Sequence, residues 1–206
     1  MKIANHRLID GEAVAFAATA NQSSGIRPLY LVMHYTAGLG LDGAVAWLRN
    51  PAAKASAHLV IGRDGRIVQM VAFNRRAWHA GLSRWGDIEG LNAYAYAYAY
   101  AIGIELDNAG RLQRRGDGAW VHPVSGRILP ASEVIEAQHK AETRPAGWHA
   151  FTEAQLSAAT AVARVLHDRY GFIDILGHND IAPGRKVDPG PAFPMASFAT
   201  QVMGRS

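Results

Sequence analysis

The chain contains no cysteine. That absence excludes a disulfide framework and every thiolate metal site, so any metal must be held by His, Asp or Glu. Long apolar runs are missing too, and nothing approaches the ~18 residues of a membrane span, so none is expected. Met1 to Gly11 carries His6, Arg7 and Asp10 and lacks the ~7 to 15 apolar residues of a secretory signal. A cytoplasmic protein is expected, with release by lysis or a secretion machine as the alternative. Blocks of one charge sign are also absent. The net charge of +4 favours anionic partners, but Arg75-Arg76 and Arg114-Arg115 are only short clusters without a nucleic-acid motif. Nucleic acid is not an expected partner.

What is present describes an ordinary globular protein. Apolar residues make up 49% and charged residues 18% of 206 positions, which suits one monomeric domain over 1–206 with its core at about 25–200. Leu29 to Tyr35 reads as a buried strand delivering His34 to its edge. Asp42 is placed to cap a short helix over Gly43 to Arg49, closed by Asn50-Pro51. His58 to Ile61 and Arg66 to Val71, joined by Gly62-Arg-Asp-Gly65, form a hairpin signal. Ile102 to Leu106 alternates, setting Ile102, Ile104 and Leu106 on one face and Gly103 and Glu105 on the other. Thr152 and Gln155 make a capping-box pattern before Leu156, Ala159, Ala163, Leu166 and Tyr170, and Gly171 ends that helix. Ile173 to Gly177 then leads out as a strand toward His178. Strands interleaved with helices predict an α/β sheet with helices packed on it.

Two segments stand apart. Ala93 to Ala101 alternates alanine with tyrosine, which reads either as a sugar-stacking platform or as a solvent-edge strand or loop. Residues 109–147 are polar, glycine-rich and weakly periodic, and read as a surface insertion.

The chemistry concentrates in two places. His34 ends a strand, and Gly177 to Pro194 carries His178, Asp180, Arg185, Lys186 and Asp188 on a loop stiffened by prolines. Two imidazoles and one carboxylate leave a tetrahedral zinc with its fourth position open, which is the hydrolytic arrangement. A carboxylate such as Glu105 then suits proton transfer, and a cation such as Lys186 suits an oxyanion. Asp180 competes with Asp188 as a ligand, although an aspartate just after a strand more commonly caps a turn. His58 reads as structural.

The ordered stretches His34-Tyr-Thr-Ala-Gly38, Ala55-Ser-Ala-His58, Ala77-Trp-His-Ala-Gly81, Ile102-Gly-Ile-Glu-Leu106 and Gly177 to Pro191 resemble the landmarks of the type 2 zinc N-acetylmuramoyl-L-alanine amidases. The resemblance runs from about residue 29 to 194. It implies a central mixed β-sheet flanked by helices, like that of peptidoglycan recognition proteins. It also implies one Zn2+ held by His34, His178 and Asp188, with Glu105 and Lys186 catalytic and peptidoglycan or muropeptides as substrate. Tyr35, Trp78, His79, Asn108 and Arg185 are the expected substrate contacts. For Trp78 and His79 the other reading is a packed Trp beside a solvent-facing His, and for Asn108 and Arg185 it is turn and surface duty. His122, His139, His149 and His167 match nothing in the family and read as surface or helix residues. The competing function is a recognition module that binds wall fragments without cutting them.

Overall fold

The computed structural model describes residues 1–91 and 100–204. Most of the alanine-tyrosine repeat therefore lies outside the described residues. Five strands make the central sheet, in the order Asp174–Gly177, Tyr30–Tyr35, Ala101–Leu106, Leu59–Ile61, Ile67–Gln69. The first four run parallel, and the last pairs antiparallel with its neighbour through the predicted hairpin. The sheet is mixed, as expected.

Alternation gives each face its task. Leu31 and Met33 of one strand and Ile102, Ile104 and Leu106 of the next join the main apolar cluster. Helix α2 (Glu153–Tyr170) covers that face with Ala159, Val162, Ala163 and Leu166, and helix α4 (Met195–Met203) adds Phe198 and Val202. Val60, Glu105 and His34 pair in one row across three strands, so they share the opposite face. Helix α1 (Leu41–Arg49) packs Leu41 and Leu48 with Val60 there. Gly177 pairs with Met33, which brings the next residue, His178 at the start of helix α3 (His178–Ile181), level with His34. Ligand sites in such sheets gather at the carboxyl ends of parallel strands, and these residues all sit at that edge.

Several local expectations change. The α1 cap is Gly40, whose N–H donates to Asp107 Oδ1 at 2.9 Å, while Asp42 sits inside the first turn and pairs with Arg66. Thr152 does cap α2, accepting from Gln155 N at 3.1 Å, and Gly171 closes it with φ 66°. The Gln155 side chain does not complete a capping box. It is buried and donates to the carbonyls of Ile61 and Asp107, joining α2 to two strand ends. The core also begins before residue 25, because Leu8 enters the main cluster.

The 109–147 segment is more than a surface loop. It folds into two small antiparallel pairs, Gln113–Arg114 with Trp120–Val121 and Val134–Ala137 with Ala146–His149. Ala109, Leu112 and Leu129 bury a cluster of their own against Leu39. His122, His139 and His149 are buried here, contrary to the surface reading. Turn contacts hold them: His122 reaches Ala37 O, His139 accepts from Ala141 N, and His149 accepts from Ala109 N. Weak periodicity hid this because short strands bury few residues each. Among the described residues no helix is long and apolar enough to cross a membrane.

Leu8→Ala is expected to lower the unfolding free energy by about 2–5 kcal/mol. Urea denaturation reads this directly. A change under about 0.5 kcal/mol, the size of an ordinary surface substitution, would remove the amino-terminal segment from the core.

Candidate metal centre

Three side-chain atoms converge at the sheet edge. His34 Nδ1 lies 3.0 Å from His178 Nδ1 and 3.1 Å from Asp188 Oδ2, and His178 Nδ1 lies 2.9 Å from the same oxygen. All three residues are buried. His178 Nε2 faces the carbonyl of Ala80 at 3.2 Å, and a carbonyl only accepts, so that nitrogen carries the ring proton. In the neutral ring its Nδ1 is then a bare lone pair aimed at the cluster. Burial pushes the Asp188 carboxyl up, but the imidazoles of His178 and His34 beside it outweigh burial and leave the carboxyl below its usual range. Asp188 is therefore an anion at neutral pH. Burial first, and His178 second, lower His34 to about 4.

Lone pairs and an anion packed this closely need positive charge between them. The donors of a tetrahedral zinc with ~2.0–2.2 Å bonds stand about 3.3 Å apart or slightly more, so a small outward relaxation accommodates the ion. The donor set fits a metal.

Local sequence explains why the loop holds its shape. Asp180 Oδ2 accepts from Gly177 N at 2.6 Å, and its other oxygen pairs with Lys140. Asp180 is thus the turn cap and stands outside the cluster. A Cβ on Gly177 would meet Asn179 Oδ1 at 2.5 Å and Pro189 Cδ at 2.8 Å, so only glycine allows the loop to close here. Asn179 N donates to Asp188 O at 2.8 Å, drawing the two ligand-bearing ends of the loop together.

Beside the cluster opens a cleft of about 980 Å³, lined by Tyr35, Trp78, Glu105, Arg185 and Lys186 among others. This lies at the upper end of the size usual for small-molecule sites. Glu105 Oε2 is closed off from solvent and has no hydrogen-bond partner among the described residues. Burial, reinforced by the Asp188 carboxylate and opposed by Lys186, pushes Glu105 up to about 8. Burial likewise pushes Tyr35 up to about 12, and its ring lies where a Cβ on Gly110 would stand at 2.3 Å.

The expected substrate contacts divide. Tyr35, Trp78 and Arg185 line the cleft, with Trp78 Nε1 tied to Ser23 Oγ and Arg185 Nη2 to the carbonyls of Ala80 and Leu82. Asn108 does not reach it. Its amide donates to His149 O and Ala150 O and accepts from Gly110 N, so the group is fully used within the fold. His79 borders the cleft but is buried, with one nitrogen 3.0 Å from His34 Nε2 and the other 3.3 Å from Ala101 O. The solvent-facing reading of His79 is therefore wrong. His58 is structural as expected, since its Nδ1 accepts from Gly103 N and its Nε2 donates to Arg75 O. The Ala80 carbonyl, which holds both His178 and Arg185, escapes sequence reasoning because a main-chain group leaves no signature in residue type.

Fold and site together define a mixed α/β protein with a His-His-Asp group that could hold a metal ion at the carboxyl ends of its parallel strands. Residues 24–191 match the family described as N-acetylmuramoyl-L-alanine amidase, and the chain belongs to that family. The 1,6-anhydro-N-acetylmuramyl-L-alanine amidase AmpD of Escherichia coli strain K12 is 36% identical over 151 residues, 72% of this chain. The match spans 59% of that relative's length. The crystal structure of a Se-Met AmpD derivative superposes with TM-score 0.68 at 27% identity, over 98% of this chain and 99% of that one. The amidase AmiD from E. coli, solved with anhydro-N-acetylmuramic acid-L-Ala-D-gamma-Glu-L-Lys, gives TM-score 0.62 at 30% identity, over 86% of this chain and 58% of that one.

Burial lowers His58 from its ordinary value of 6.5 to about 4, with the Arg75 carbonyl partly opposing. Between those values the unfolded chain binds a proton that the native ring refuses, so stability rises with pH across that window. Urea midpoints of metal-free protein should fall from pH 7 to 4.5. His58→Asn, which keeps an amide donor and acceptor there, should lessen the fall; an unchanged profile would place its cause elsewhere.

Proposed function

We propose that this chain is a zinc hydrolase that cleaves the amide bond between N-acetylmuramic acid and L-alanine in muropeptides. The observation that carries the reading is the buried convergence of His34, His178 and Asp188 beside Glu105, whose Oε2 has no hydrogen-bond partner among the described residues. His34 Nδ1, His178 Nδ1 and Asp188 Oδ2 would hold the ion. Zinc bound there supplies a Lewis acid and a water that ionises near neutral pH.

The remaining work falls to the chain's own side chains. Glu105 faces Asp188 and the cleft with a proton affinity near neutrality, the range in which one group both accepts and returns a proton. Its carboxylate would take the proton of the attacking water and pass it to the departing alanine amine. Lys186 lines the same wall and steadies the negative charge that grows on the lactyl carbonyl oxygen. Arg185 commits Nη2 to two backbone carbonyls, and the rest of its five-donor group suits a stem-peptide carboxylate. A recognition module that only binds has no use for a buried acid beside such a group, its Oε2 without a hydrogen-bond partner among the described residues, so the cutting enzyme is the better reading. Muropeptides are the favoured substrate because AmpD and AmiD carry anhydromuramyl substrates in their names and structures.

Purified protein incubated with anhydro-muropeptides should release the free peptide, identified by mass, and a chelator should abolish release. Intact peptide in every zinc-loaded sample would overturn the reading. Glu105→Gln should retain zinc while kcat/KM falls by about 10²–10⁴. Asp188→Ala should lose bound zinc, whereas Asp180→Ala should keep it at a cost of about 1 kcal/mol in stability. Metal analysis showing the reverse would exchange the two aspartates.

A further inference from the structure

The cluster works as a metal site only if His34, like His178, presents a bare Nδ1. We propose that His79 is the positioning residue that sets this, holding the proton of His34 on Nε2 and leaving Nδ1 free for the metal. The inference rests on the zinc reading above and goes beyond it, because it assigns the cleft-side imidazole to a ligand and away from substrate.

Hydrogen-bond direction carries the argument. The Ala101 carbonyl accepts only, so the nitrogen facing it at 3.3 Å, His79 Nε2, carries a proton. A neutral His79 then has Nδ1 as its acceptor, and the group 3.0 Å away, His34 Nε2, must be the donor. The surroundings keep His79 neutral: it is buried, and among the described residues the rings of His34 and His58 pack against it, with centroids at 5.0 and 5.7 Å. A protonated His79 would also force the His34 proton onto Nδ1, between His178 Nδ1 at 3.0 Å and Asp188 Oδ2 at 3.1 Å, and would leave no lone pair there for a metal. The edge-on packing of the two rings, 81° between planes, suits a bond along the ring edge.

One strand supplies the whole arrangement. Residues 101, 103 and 105 share a face. Ala101 offers the carbonyl, Gly103 leaves room for the ring, and Glu105 is the proposed proton carrier. A Cβ on Gly103 would lie 2.5 Å from His79 Cγ, so any larger residue displaces the imidazole. Gly103 N is itself held by His58 Nδ1 at 3.0 Å, which secures the strand beneath the ring. With both nitrogens engaged, His79 has nothing left with which to bind substrate.

The test compares zinc affinity, by competition with a chromophoric chelator, in wild type, His79→Phe and His79→Asn. Phe keeps a ring without an acceptor, and Asn places a carbonyl oxygen near the position of Nδ1. Partners of metal-bound histidines typically change affinity 10–100-fold. Phe should bind zinc weaker by about that factor, and Asn should recover most of the loss, which a purely structural role would not produce. Long-range ¹H–¹⁵N spectra of zinc-loaded wild type should show His34 protonated at Nε2 and without a proton at Nδ1. If Phe fails to fold, the wild-type spectrum decides. Affinity of the Phe variant within twofold of wild type, or a His34 proton on Nδ1, overturns the proposal and leaves the zinc reading standing. Wild type that takes up no zinc overturns both.

Discussion

Two imidazole nitrogens and a carboxylate oxygen about 3 Å apart, on buried side chains beside a cleft, repel one another unless positive charge joins them. The rest of the structure can be understood as the means of keeping them there. Left free, the three side chains would turn toward solvent. Strand pairing sets the height of His34 and His178, the capped turn at Asp180 orients the loop, and the Ala80 carbonyl and His79 engage the far nitrogens of the two rings. Acceptors without a donor are unfavourable in a metal-free core, and that same cost becomes binding energy for a cation.

The sheet divides its labour by face. One side buries Leu31, Met33, Ile102, Ile104 and Leu106 beneath α2 and α4, giving the backbone a rigid base. The other carries polar groups that would be out of place in such a core. Glu105 belongs to the second side yet stays shielded, and burial beside Asp188 holds its proton affinity near neutrality. A solvent-exposed carboxyl would lose its proton near pH 4.3 and make a poor proton donor to an amine.

The 109–147 segment buttresses the site as well as covering surface. His122 holds the Ala37 carbonyl in the turn after the His34 strand, and Asn179, next to His178, meets His139 at 2.8 Å. The Trp148 ring stands 2.6 Å from where a Cβ on Gly190 would be, so the lobe rests directly on the loop that carries Asp188. These contacts explain why histidines in a polar, irregular stretch are buried.

The elements whose signals are local were legible in the residues themselves. The alternation of Ile102 to Leu106, the Thr152 cap and Gly171 stop of α2, and the hairpin at Gly62 to Gly65 each depend on neighbours a few positions away. The grouping of His34, His178 and Asp188 beside Glu105 was expected only from the resemblance of the ordered motifs to the amidase family, not from spacing alone. The partners of those groups were decided only by tertiary structure. His34 meets His178 across 144 positions and Asp188 across 154, Gln155 leaves its expected cap for carbonyls 94 and 48 residues away, and Asn108 turns inward to a strand 41 residues on. The direction of a ring proton depends on which backbone carbonyl lies behind the ring, and no local pattern of side chains records that.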